Sequence, residues 1–167
     1  MTGRRTGRAL FASGLLLTLL AAGCGVRPSA VITGRPPISG PAQGTWVYLL
    51  AQGELVLVLR PVNADPSPAA ALSLLAAGPQ ENERAQGFTS EVPAGLDPVT
   101  VTAGADRSGD LTVRTNIAAQ ALSAHAADQI ICTTVAAAAQ VSAANTATTV
   151  TIVGSDGTRG PRACPIR

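Results

Sequence analysis

The stretch Leu74-Leu75-Ala76-Ala77-Gly78-Pro79-Gln80-Glu81-Asn82-Glu83-Arg84-Ala85-Gln86-Gly87-Phe88-Thr89-Ser90-Glu91-Val92-Pro93-Ala94-Gly95-Leu96 decides how the chain folds. It reads as the end of a helix, a charged loop, a short extended piece and a tight turn. Gly78-Pro79 stops the helix, because glycine accepts a left-handed cap and proline cannot continue the ladder. Upstream, Ser67-Pro68 supplies the start, with serine as N-cap and proline at the first helical position, where its missing N–H costs nothing. The helix is expected to run to Ala77, with Leu72, Leu75 and Ala76 at i, i+3 and i+4 on its apolar side. Downstream, Phe88 to Val92 reads as a short edge strand and Pro93-Ala94-Gly95 as a turn. Only Gln80, Glu81, Asn82, Glu83 and Arg84 are left over as a candidate binding surface within this stretch.

Outward from there, Thr45–Leu50 and Glu54–Arg60 are two apolar runs split by Ala51-Gln52-Gly53, the signature of a hairpin. Leu55, Leu57 and Leu59 share one face and Val56 and Val58 the other, which predicts a central strand covered on both sides. Val99–Thr102 and Leu111–Arg114 alternate apolar and polar, one face to the core and one to water. Asp106 and Asp110, in the turn between them, are expected to cap backbone, since a calcium loop needs more oxygens at regular spacing. A second helix is expected from Leu122 to about Ala138, its apolar stripe formed by Ala126, Ala127, Ile130, Ile131, Thr134, Ala137 and Ala138. His125, Asp128 and Cys132 fall off that stripe, on an expected solvated face. Thr148–Val153 is the last expected strand, Ser155-Asp156-Gly157 turns the chain, and the rest reads as a tail. The expected order is β-β-α-β-β-α-β, an α+β class in two layers. It amounts to one small mixed sheet of about five strands with two helices on one face.

The N-terminal part carries different information. Arg4, Arg5 and Arg8 precede an apolar run from Ala9 to Ala22, too short to span a bilayer, which takes about 20 residues. Ala21-Ala22-Gly23 and then Cys24 follow, the pattern of a secretory signal. It resembles the bacterial lipoprotein signal, which implies cleavage after residue 23 and a diacylglyceryl, palmitate-type modification of Cys24. More than one acyl chain is needed for a stable anchor, and such a group supplies it. The segment 24–44, rich in proline and glycine, reads as a tether. The expectation is a cell-membrane lipoprotein held on the extracytoplasmic side, with a domain over 45–167.

Charge narrows the partners. The chain has 12 basic residues, all arginine, against 10 acids. Without the three leader arginines the balance is about −1, which offers no basic footprint for nucleic acid. Two cysteines remain after Cys24, and in an exported chain the simplest reading pairs Cys132 with Cys164 in a disulfide. The rival, Cys132 as nucleophile with His125 as base, places the two about 10 Å apart along a helix, beyond hydrogen-bond reach. A zinc site from His125, Asp128 and Cys132 lacks close ligand pairs and a second histidine. The chain has no G-x-S-x-G elbow and no phosphate-binding glycine loop. No catalytic residue, metal site or cofactor is nominated, and the chain is read as a non-enzyme. Glu81, Glu83 and Glu91 are either solvated carboxylates or part of a docking surface.

Taken in order, Trp46-Val47-Tyr48-Leu49-Leu50, Leu74-Leu75-Ala76-Ala77-Gly78-Pro79, the Glu81/Glu83 loop, Thr89-Ser90-Glu91-Val92-Pro93 and Ile131-Cys132-Thr133 resemble a GerMN domain. Such domains occur in many Gram-positive lipoproteins, including the LpqB type of actinobacteria. The resemblance covers about Thr45 to Gly157. It implies a small α/β module without an active site that works by protein contact in the cell envelope, with oligomers possible. The sequence thus points to a membrane-tethered scaffolding or protein-binding module. The alternative is a lipoprotein that binds a small molecule or a cell-wall fragment.

Overall fold

The hairpin sets the first sheet. Strands β1 (Gly44–Ala51) and β2 (Glu54–Pro61) pair antiparallel, closing on Ala51↔Glu54. A two-residue hairpin loop favours positive φ at its central positions, and Gln52 (φ 53°) and Gly53 (φ 83°) adopt it. The structure, a computed structural model, describes residues 44–62, 67–104, 109–141 and 149–166. These lie in one unit, Gly40–Arg167. The expectations made for the leader, Cys24, nearly all of the tether and Asp106 fall outside the described residues.

Helix α1 (Pro68–Ala76) begins as the sequence predicts: the Ala70 N–H donates to Ser67 Oγ at 3.1 Å. It ends before Gly78, whose φ of 75° is the left-handed conformation that favours glycine. The segment expected to be a charged loop is instead a five-residue helix, α2 (Glu81–Ala85). Glu83 reaches back to accept the Gln80 N–H at 2.6 Å, one arm of a capping box. Strand β3 (Phe88–Thr89) then pairs with the end of β1, and a 3₁₀ turn covers Ala94–Leu96.

Strands β4 (Thr100–Ala103) and β5 (Leu111–Arg114) are antiparallel. Helix α3 (Ala124–Val141) leads from β5 to β6 (Val150–Gly154), which lies parallel to β5. The segment read as a tail forms a further strand, β7 (Gly157–Arg162), antiparallel to β6. The fold is α+β, as expected, but the strands divide into a three-stranded sheet, β2-β1-β3, and a four-stranded sheet, β4-β5-β6-β7.

The reason for the division is visible at β1. Its second edge meets β3 only at Leu50 and Ala51. Beyond that point α3 takes the place of a strand. Gln129 donates to the Tyr48 carbonyl (3.0 Å), Thr133 Oγ1 accepts the Tyr48 N–H (2.9 Å), and Gln140 bonds both the Trp46 N–H and the Gly44 carbonyl. An unpaired buried backbone group is costly, so polar side chains on α3 are needed where a ladder would otherwise be. This explains why Gln129 and Thr133 are buried on a helix otherwise lined with alanine and isoleucine, whereas buried Thr134 donates to the Ile130 carbonyl of its own helix.

Both sheets turn one face to a shared core with α1 and α3: Val47 and Leu49, Leu72 and Leu75, Val113, Ile130 and Ile131, Val150 and Ile152. The face of α3 expected to be solvated is covered by the C-terminal strand. Arg162 lies 3.0 Å from Asp128, Arg159 donates to the Leu122 carbonyl, and Cys132 is disulfide-bonded to Cys164. Cys132 is fully buried. Of the three residues His125, Asp128 and Cys132, only His125 is exposed.

Candidate functional site

Backbone parity defines the first candidate. Trp46, Tyr48 and Leu50 direct their backbone groups away from β2, toward α3 and β3. Their partners across the hairpin, Leu59, Leu57 and Leu55, therefore point theirs to the opposite, outer side. Among the described residues nothing pairs with that side of β2. The other strand edges are blunted in the ways that keep sheets from pairing at random. Strand β3 has two residues, β4 has four, and β7 carries a register shift and Pro161. Strand β2 has eight residues, with the run Leu-Val-Leu-Val-Leu uninterrupted and its one proline, Pro61, last.

The same strand corrects a sequence expectation. It is not central, and its second face is only partly covered. Val56, Val58 and Arg60 face the core side; Leu55, Leu57 and Leu59 share the other face with Trp46, Tyr48 and Leu50. Leu57 is 40 % exposed and Leu50, at the hairpin end, 2 %; the other four are half-buried, and none of the six is in the core cluster. Apolarity on both sides of a short run cannot separate a strand between two layers from one with a single layer and an open face. Neither the Trp46 indole N–H nor the Tyr48 hydroxyl has a partner among the described residues.

The predicted binding surface divides. Gln80, Glu81, Asn82 and Arg84 are exposed, but Glu83 is 4 % exposed and faces inward. Arg60, itself 2 % exposed, grips it in a bidentate pair, Nε to Oε1 at 3.0 Å and Nη2 to Oε2 at 2.6 Å. The guanidinium also donates to the carbonyls of Leu74 and Gly78 at the end of α1. One side chain of β2 thereby fixes the end of α1 and the whole of α2. Burial pushes the Glu83 carboxyl up. The Arg60 hydrogen bond, the Gln80 N–H and the charges of Arg60 and Arg84 outweigh it and hold the group below its ordinary value. Sequence alone gave no sign that Arg60, at the end of an apolar strand, would be inside.

A second constellation joins residues named separately in the sequence. The Ser123 hydroxyl donates to Glu91, and His125 Nδ1 lies 2.9 Å from the same carboxylate. Ser123 Oγ also accepts the Ala126 N–H at 3.0 Å, capping α3. These two hydrogen bonds, Ser123 first, lower the Glu91 carboxyl below its ordinary value. The group differs from a hydrolytic triad, in which the hydroxyl sits on the imidazole; here hydroxyl and imidazole share the carboxylate. Glu91 and Ser123 form one rim of an open groove of about 590 Å³ whose other lining is Pro93, Ile117, Ala118, Ala121 and Leu122. Cys132, bonded to Cys164, has no thiol to pair with His125.

Comparison of the chain with protein-family models, with curated proteins and with solved structures finds no match.

Proposed function

We propose that the chain is a lipoprotein anchored through Cys24 on the extracytoplasmic face of the cell membrane. In this reading its GerMN-like unit is a non-catalytic module that binds an extended segment of another envelope protein along β2. One observation carries it: β2 is the long, unblunted edge in a unit whose other edges are short or interrupted. Strand addition takes affinity from main-chain hydrogen bonds and specificity from alternate side chains. Leu55, Leu57 and Leu59 offer both. Anchoring raises the local concentration of the module, so a modest edge affinity suffices.

The test is Leu57→Pro. The Leu57 N–H points outward, so proline removes a donor that β1 does not use, a substitution edge strands tolerate. Crosslinking in intact membranes is expected to give a discrete adduct with the wild-type chain and lose it in Leu57→Pro, at unchanged urea midpoint. Cys24→Ala is expected to release the chain from membranes. An undiminished adduct in Leu57→Pro, or no adduct from the wild-type chain, would overturn strand addition.

The alternative, binding of a small molecule or wall fragment, has the groove beside Glu91 in its favour, since it combines an apolar floor with a charged rim. Filling it with Ala121→Trp would abolish ligand binding while leaving the β2 adduct intact.

A further inference from the structure

We infer that the partly exposed apolar face of the β1–β2 hairpin, centred on Leu57, docks on the lipid surface, so that the sheet lies flat on the membrane and presents the β2 edge sideways. This rests on the anchored reading above. The accessible part of the face is Trp46, Tyr48, Leu55, Leu57 and Leu59, with Leu50 buried at its hairpin end, and there is no charged side chain among them. An occupant needs no complementary charge.

Size argues against a folded protein as that occupant. Two strands about 4.8 Å apart, over six residues at about 3.4 Å each, give a face of roughly 200 Å². A stable protein–protein interface takes about 800 Å² from each partner. A bilayer sets no such minimum when a covalent anchor already holds the domain nearby. Cys24 lies 20 residues before Gly44, a length that reaches at most about 70 Å whatever its conformation. At that range even weak insertion is populated.

The aromatic residues give the second reason. Tryptophan and tyrosine concentrate at membrane interfaces because the ring is apolar and the tip hydrogen-bonds among headgroups. Trp46 and Tyr48 meet that description, with rings on the apolar face and polar tips that have no partner among the described residues. The leucines beside them supply the part that enters the acyl boundary.

Trp46 is the chain's sole tryptophan, so its emission reports on this face alone. The experiment uses the full matured chain with excess vesicles of phosphatidylglycerol and phosphatidylethanolamine, carrying a doxyl quencher at either the glycerol end or the methyl end of the acyl chain. The expected result is a blue-shifted Trp46 emission quenched by the shallow doxyl and not by the deep one. Leu57→Lys is expected to lose that quenching while still floating with the vesicles through its anchor. Emission unquenched by either lipid overturns the proposal. If acrylamide is then also excluded, a protein or a second copy covers the face; if acrylamide quenches, the face is bare. Failure of the wild-type chain to float would count against the anchor alone, and the doxyl result would still decide docking.

Discussion

Glu83→Gln is the substitution on which the sequence and the structure disagree most. On an exposed charged loop it would change stability by no more than about 0.5 kcal/mol. In the structure it removes the charge that faces a guanidinium 2 % exposed and leaves Arg60 to the carbonyls of Leu74 and Gly78. Removing one partner of a buried pair costs about 3–5 kcal/mol, because the other charge stays buried without compensation. That is a large part of the roughly 5–15 kcal/mol by which domains are stable. With an m-value near 2 kcal/mol/M, the urea midpoint is expected to fall by roughly 2 M at unchanged m. Arg60→Met should cost a similar amount, and Arg60→Met/Glu83→Leu less than the sum, since neither charge is then left over. The assay is urea unfolding followed by far-ultraviolet circular dichroism and Trp46 emission. A midpoint for Glu83→Gln within about 0.25 M of wild type, about 0.5 kcal/mol at that m-value, would refute the buried-pair argument.

The remaining predictions concern the pH dependence of that pair and other supports of the fold. Because the Glu83 carboxyl is held below its ordinary value in the folded state, its contribution is full above the unfolded value and is lost as pH falls through the folded one. Wild type should therefore lose stability below about pH 4 more steeply than Glu83→Gln, measured as urea midpoint against pH. Gln129→Leu keeps the volume but leaves the Tyr48 carbonyl and the Glu91 N–H without partners; a loss of about 2–4 kcal/mol is expected, with faster amide exchange at Glu91. Gly154→Ala would set a methyl 2.2 Å from the Ile117 carbonyl oxygen and 2.6 Å from the Ala119 nitrogen; both are backbone, and a cooperative melt is not expected. Reducing Cys132–Cys164, separated by 32 residues, should cost about 3–4 kcal/mol in the chain-entropy description, read as a lower urea midpoint with reductant.

Several elements were readable because short-range chemistry sets them. The Ser67-Pro68 start and Gly78-Pro79 stop of α1, the Gln52-Gly53 hairpin and the alternation of β4 and β5 each depend on neighbours within a few residues. The Cys132–Cys164 pair needed only a count of cysteines. The helix α2 was missed because its cap begins with Gln80, outside the favoured set, and its stability comes from Arg60, 23 residues away.

What only the tertiary structure decided is where the chain stops pairing. The leucines of β2 look the same in sequence whether a second layer covers them or not. Coverage is a property of distant segments, and α3 takes up the other side of the hairpin by giving Gln129, Thr133 and Gln140 to the edge of β1. That choice divides the strands into two sheets and leaves β2 outermost. Packing likewise takes Glu83 out of the candidate surface 80–84 and sets it on Arg60, with the carbonyls of Leu74 and Gly78, while the other four residues stay exposed. Residue order determined the elements; long-range packing determined which of their surfaces remain free.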